Sequence, residues 1–151
     1  MNAYLIHQLA LASMMVLVTV MIHMLGLGSL VRLLRSHRLI WPAGRAPPIT
    51  LLLAAALGLF AIHTVEIWLY AGLYLVLRAA PDFESALYFS TVTYASIGYG
   101  DVLVVKPWRI LGAIEGATGV IMLGWSTAFL VSLLAQLKLF GHDWLAPREQ
   151  A

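Results

Sequence analysis

Residues 91–101 read Thr-Val-Thr-Tyr-Ala-Ser-Ile-Gly-Tyr-Gly-Asp, TVTYASIGYGD. Two glycines flank a tyrosine at 98–100. Glycine has no Cβ penalty at positive φ, so it permits dihedrals that other residues resist and does not comfortably continue a helix. The preceding segment, 84–94 (ESALYFSTVTY), fits a helix of roughly 16 Å, too short to cross a bilayer. Asp82 and Glu84 suit its N-terminus. Long apolar runs lie on either side, at 49–77 and 110–137. A half-length apolar helix followed by irregular backbone, set between two spans, reads as a re-entrant loop. Such a loop is tolerated at membrane depth only when buried in protein or lining a water-filled path. A glycine turn in an ordinary loop accounts for neither the short helix nor the Thr/Ser-rich approach.

Composition agrees with that reading. Of 151 residues, 62% are hydrophobic and 11% charged, against about half and about a quarter in soluble domains. This excludes an ordinary soluble domain and leaves little chain for a soluble catalytic one. The net charge of +2 is dispersed and gives no nucleic-acid patch. The absence of cysteine excludes disulfides and thiolate ligands. A third apolar run, 9–31, spans roughly 35 Å as a helix. It is too long for a signal h-region, and residues 1–8 carry no Lys or Arg, so it reads as a retained span. Met14, Met15, Met21 and Met24 crowd it and read as lipid-facing filler. Pro42, Pro47 and Pro48 interrupt the basic segment that follows.

With three spans, Arg32, Arg35, Arg38, Arg45, Lys138 and Arg148 fall on one side, and Arg78, Lys106 and Arg109 on the other. The excess of positive charge predicts an outer N-terminus, a cytoplasmic tail and a loop entering from outside. Trp41 and Trp144 fit an inner aromatic belt, and Tyr74 and Trp108 an outer one. Arg32, Arg35 and Arg38 recur every third residue, but they lie at a membrane exit and read as an anchor rather than a voltage sensor.

The motif resembles the pore signature of the tetrameric potassium channels, usually written TVGYG. The likeness runs from residue 49 to about 137 in the order outer helix, pore helix, filter, inner helix. It implies an all-α membrane protein with three transmembrane helices, a re-entrant pore helix and a selectivity-filter loop. The expected division is an N-terminal span and basic linker at 1–48, a pore module at 49–138 and a short tail at 139–151. The resemblance implies passive conduction of potassium ions by a homotetramer in the plasma membrane, in contact with lipid. It implies no enzymatic activity, no cofactor and no nucleic acid. The ion-binding residues would be Ser96, Ile97, Gly98, Tyr99 and Gly100, with Tyr99 also holding the filter diameter from behind. Ser96 stands where threonine is usual, and Ile97 where valine is commoner. Thr93, Tyr88 and Asp101 would support the filter, with Tyr88 bonded to Asp101. Gly119 matches a hinge glycine of the inner helix, although close packing explains a glycine there equally well.

Four ionisable residues remain inside the spans: His23, His63, Glu66 and Glu115. Such groups are functional by default. His63 and Glu66 share a helix face, and His23 can complete a polar cluster with them. Arg78 and Arg109 are candidate partners for Glu66 and Glu115. The alternative reading is an intramembrane redox or metal-binding protein that uses His23 and His63; a further one is a weakly selective or non-conducting channel relative.

Overall fold

The computed structural model describes residues 3–40 and 47–137. They form four helices: α1 (Ala3–Ile40), α2 (Pro48–Val76), α3 (Phe83–Tyr94) and α4 (Arg109–Leu137), with a 3-10 turn at Lys106–Trp108 leading into α4. Three of them, α1, α2 and α4, are long and apolar enough to cross a membrane. Among the described residues there is no strand.

Helix α1 runs further than its apolar core, through Arg32 and Arg35 to Ile40, because arginine is itself a good helix former. Trp41, Arg45 and the tail from Lys138 onward lie outside the described residues. Helix α2 begins with Pro48 at its first turn, where the missing N–H costs nothing. It ends in a Schellman motif: Arg78 N–H donates to the Leu75 carbonyl at 2.9 Å and Ala79 N–H to the Tyr74 carbonyl at 2.8 Å. Arg78 supplies the left-handed residue of that motif with φ 51°. Helix α3 is capped by Asp82, whose carboxylate accepts from Ser85 N–H at 2.8 Å.

One face of α1, carrying Gln8, Ala12, Met15, Thr19, His23, Leu30 and Leu34, is buried. Met15 therefore belongs to the core. Met14, Met21 and Met24 are more than half exposed, as lipid-facing side chains would be. Helix α1 packs on both α2 and α4. Its meeting with α2 is close at two points: a methyl at Gly26 would lie 2.7 Å from Ile62 Cγ1, and one at Gly58 would lie 2.5 Å from Leu30 Cδ1.

The interior is stratified. One apolar cluster gathers Ala12 and Met15 of α1 with Tyr70, Ala71, Tyr74, Ala86, Phe89 and Leu111. The other gathers Leu30, Leu34, Leu51, Ala55, Leu59 and Ile62, with Phe129 and Leu133 against it. Along both α1 and α2, the residues between these clusters include Thr19, His23, His63 and Glu66, a polar layer inside an apolar bundle. Tyr74 is fully buried and so does not belong to an interfacial belt: its ring packs edge-on to Phe89 at 5.3 Å, and its hydroxyl finds a partner inside the protein. Trp108 packs partly buried against the first cluster.

Candidate functional site: an alternating backbone loop above a buried polar layer

The loop that leaves α3 folds back on the helix end. The Val92 carbonyl accepts from Ile97 N–H at 2.8 Å and Gly98 N–H at 3.1 Å, and the Thr93 carbonyl accepts from Ser96 N–H at 2.9 Å. Three alternate residues then have left-handed backbone: Ser96 at φ 57°, Gly98 at 59° and Gly100 at 77°. Ile97 and Tyr99 between them do not. Ordinary strand geometry turns successive carbonyls to opposite sides. Alternating handedness cancels that turn and lets successive carbonyls face one way. Two of the left-handed positions are glycine, where this conformation carries no Cβ penalty. The third is serine, which has a Cβ and bears some strain.

Residues 95–101 are all exposed. Tyr99 is 72% exposed, so its own chain supplies no wall behind it, and any bracing of the loop by that ring must come from outside the chain. At the far end, the Tyr88 hydroxyl donates to Asp101 Oδ2 at 2.8 Å. That bond holds the Asp101 carboxyl below the usual carboxylate range and pushes the Tyr88 phenol upward.

Helix α4 supports the loop through glycines. A Cβ at Gly112 would lie 3.0 Å from the Phe89 ring, and one at Gly116 would lie 3.3 Å from the Thr93 carbonyl oxygen. One at Gly119 would collide with the backbone carbonyl of Tyr94. Gly119 thus sits where α4 comes into contact with the end of α3, a close approach that requires glycine whatever else the residue does.

Two buried carboxylates anchor α3 from beneath. Glu115 accepts from the Tyr74 hydroxyl at 2.6 Å and from the Ser90 hydroxyl. Ser90 also reaches the Ile67 carbonyl at 2.9 Å. Glu66 lies 3.0 Å from His23 Nδ1 and 2.9 Å from His63 Nδ1, and accepts from the Tyr94 hydroxyl. His63 Nε2 meets Ser126 Oγ at 2.9 Å. His23 therefore joins α1 to α2, and Tyr94 and Ser126 add α3 and α4. Among the described residues, the ion pairs are those of Glu66 with the two histidines. Arg78 and Arg109, expected as possible partners, form none, and hydroxyls and imidazoles meet the carboxylates instead.

Tyr94, Ser90, Tyr74 and Ser126 are the functional partners that the pattern of charged residues did not single out. A periodicity signal exists for them. Ser90 and Tyr94 are four apart on α3, and Glu66, Tyr70 and Tyr74 are four apart on α2, so each set shares a helix face. His23, His63 and Glu66 also have the donor types of a metal site, with one ligand atom from each lying within 4.8 Å of the others.

A family model described as an ion channel matches residues 51–136, more than half of the chain. No curated protein and no solved structure matches it.

Proposed function

Because the chain belongs to this ion-channel family, with its two-helix pore module, we propose that it conducts potassium ions passively through a filter built by four copies of the loop at 96–100. The observation that carries this reading is the alternation of backbone handedness at Ser96, Gly98 and Gly100. A dehydrated potassium ion needs a ring of oxygens in place of its water shell, and backbone carbonyls turned to one axis supply it. One chain contributes a quarter of such a ring, so the functional unit is a homotetramer.

In this reading the carbonyls of Ser96, Ile97, Gly98 and Tyr99 coordinate the ion, and Gly100 completes the turn. Thr93, Tyr88 and Asp101 hold the loop in place. The 72% exposure of Tyr99 supports the tetramer: a neighbouring subunit is the wall its ring lacks. The pore module takes in 49–138, preceded by a peripheral span and linker at 1–48 and followed by a tail at 139–151. The distribution of basic residues supports an outer N-terminus and a cytoplasmic tail. Gly119, whose packing against α3 requires glycine, is also the candidate hinge of the inner helix.

The test is cation flux from purified protein in liposomes. Potassium flux that barium blocks, and that exceeds sodium flux at least about tenfold, supports the reading; each tenfold corresponds to about 1.4 kcal/mol of discrimination. Equal sodium and potassium flux favours the weakly selective alternative, and no flux from a folded tetramer overturns conduction.

A further inference from the structure

The polar layer contains more chemistry than conduction through the loop requires. Glu66 is fully buried, and its described partners are two imidazoles and a phenol. No Lys or Arg pairs with it among the described residues. With both histidines neutral, the layer would hold an uncompensated negative charge at membrane depth, which is expensive. Something positive must offset it, either a proton or a metal ion. His23 is fully buried and its Nε2 has no partner among the described residues, so Nδ1, facing Glu66, is the ring nitrogen through which it joins the layer.

We propose that His23, His63 and Glu66 form a binding site for a divalent first-row transition metal ion, zinc above all, which fastens α1 to the pore module. The donor set favours this class. Two imidazole nitrogens and one carboxylate oxygen suit zinc, whereas calcium and magnesium require shells of oxygen. The spacing fits as well. A tetrahedral zinc with bonds of about 2.0–2.1 Å separates its ligand atoms by about 3.3 Å. His23 Nδ1 lies 3.0 Å from Glu66 Oε1 and His63 Nδ1 2.9 Å from Oε2, and one ligand atom from each residue lies within 4.8 Å of the others, so side-chain rotation can bring all three onto one ion. The Tyr94 hydroxyl, 3.2 Å from His63 Nδ1 and bonded to Glu66, offers an oxygen for a fourth position. The two ring centroids lie 5.4 Å apart, with the planes tilted by 36°. The metal and the proton compete for the same nitrogens, so binding weakens as pH falls.

Metal binding does not depend on conduction, so the two readings fail separately. The experiment uses the 151-residue chain in detergent, stripped with chelator and then dialysed against zinc, in a background with His7, His37 and His142 each replaced by alanine. The expected result is about one zinc per chain by elemental analysis, as for a closed three- or four-ligand site, and a melting temperature several degrees above the stripped protein. Cobalt should give the visible bands of a tetrahedral site. His23→Gln should weaken zinc binding at least about tenfold. If that variant does not fold, Glu66→Gln preserves the side-chain shape and should show the same loss. A folded protein that retains no zinc overturns the proposal, as does zinc bound equally well by His23→Gln and Glu66→Gln.

Discussion

The Tyr88 hydroxyl donates a 2.8 Å hydrogen bond to the carboxylate of Asp101, tying the outer end of the loop to the short helix beneath it. The bond depresses the Asp101 pKa. A carboxyl with a depressed folded-state pKa contributes stability above its ordinary pKa, and loses it as pH falls through the folded value. The tie should therefore persist at neutral and mildly acid pH and fail only below the usual carboxylate range. Tyr88→Phe should shorten the time over which potassium flux persists after channels open. It should also make that persistence insensitive to pH through the range where Asp101 titrates, because the variant has no tie left to lose. Flux decay in liposomes across a pH series measures both effects; identical curves for the two proteins would refute the role of the bond.

Gly119→Ala should destabilise the assembly, because the added methyl meets the Tyr94 backbone rather than a flexible side chain. Overpacking of this kind costs about 1–3 kcal/mol per site or more. Gly124→Ala meets nothing within 4 Å and should gain up to about 1 kcal/mol of helix propensity. Melting of the two variants in detergent compares them directly. If Gly119 served only as a hinge, its alanine variant would melt no lower than that of Gly124.

Gly100→Ala places a Cβ at φ 77°, a strain of about 1–2 kcal/mol for each chain. The backbone can relax by rotating the peptide, which turns a carbonyl away from its neighbours. Potassium flux should fall sharply, with less effect on the melting temperature than Gly119→Ala. The ratio of sodium to potassium flux is the sensitive readout.

Arg78 holds a left-handed position that glycine fills without penalty. Arg78→Gly should therefore raise stability by about 1 kcal/mol, read as a higher melting temperature with flux unchanged. Loss of stability would instead assign the guanidinium a contact beyond its own chain.

Ser90→Ala removes one of two hydroxyls on buried Glu115 and the link to the Ile67 carbonyl. A buried acceptor stripped of a partner costs about 1–3 kcal/mol. Combined with Tyr74→Phe, the loss should exceed the sum of the two single variants, since each hydroxyl partly compensates for the other. Thermal melts of the double-mutant cycle test this coupling.

The helices were largely legible because hydropathy marks a span as clearly as structure does. The stretch read as 49–77 is a helix over Pro48–Val76, bounded by prolines on one side and polar residues on the other. The far end of α1 was not legible, because Arg32 and Arg35 end the apolar run without ending the helix. Burial within a span was also hidden. Met15 lies inside, while its neighbour Met14 and Met21 lie outside; apolar residues suit lipid and core alike, so composition cannot sort them. Tyr74 looked interfacial for the same reason: a tyrosine at a span end suits water, but Glu115 offers a buried acceptor instead. The carboxylates and histidines could be named from the sequence. So could the grouping of His23 with His63 and Glu66; their hydroxyl partners could not, because Tyr94 reaches Glu66 across 28 residues and Ser126 reaches His63 across 63.

The double contact between α1 and α2 fixes how movement can pass through the molecule. Each helix offers one notch, Gly26 or Gly58, and one projection, Leu30 or Ile62, and these engage in opposite senses. One such engagement would allow pivoting about a point. Two of them, four residues apart on both helices, set height and rotation together. The two engagements resist sliding and rotation of α1 against α2, so a force on α1 passes to α2 through the Gly26–Ile62 and Gly58–Leu30 contacts.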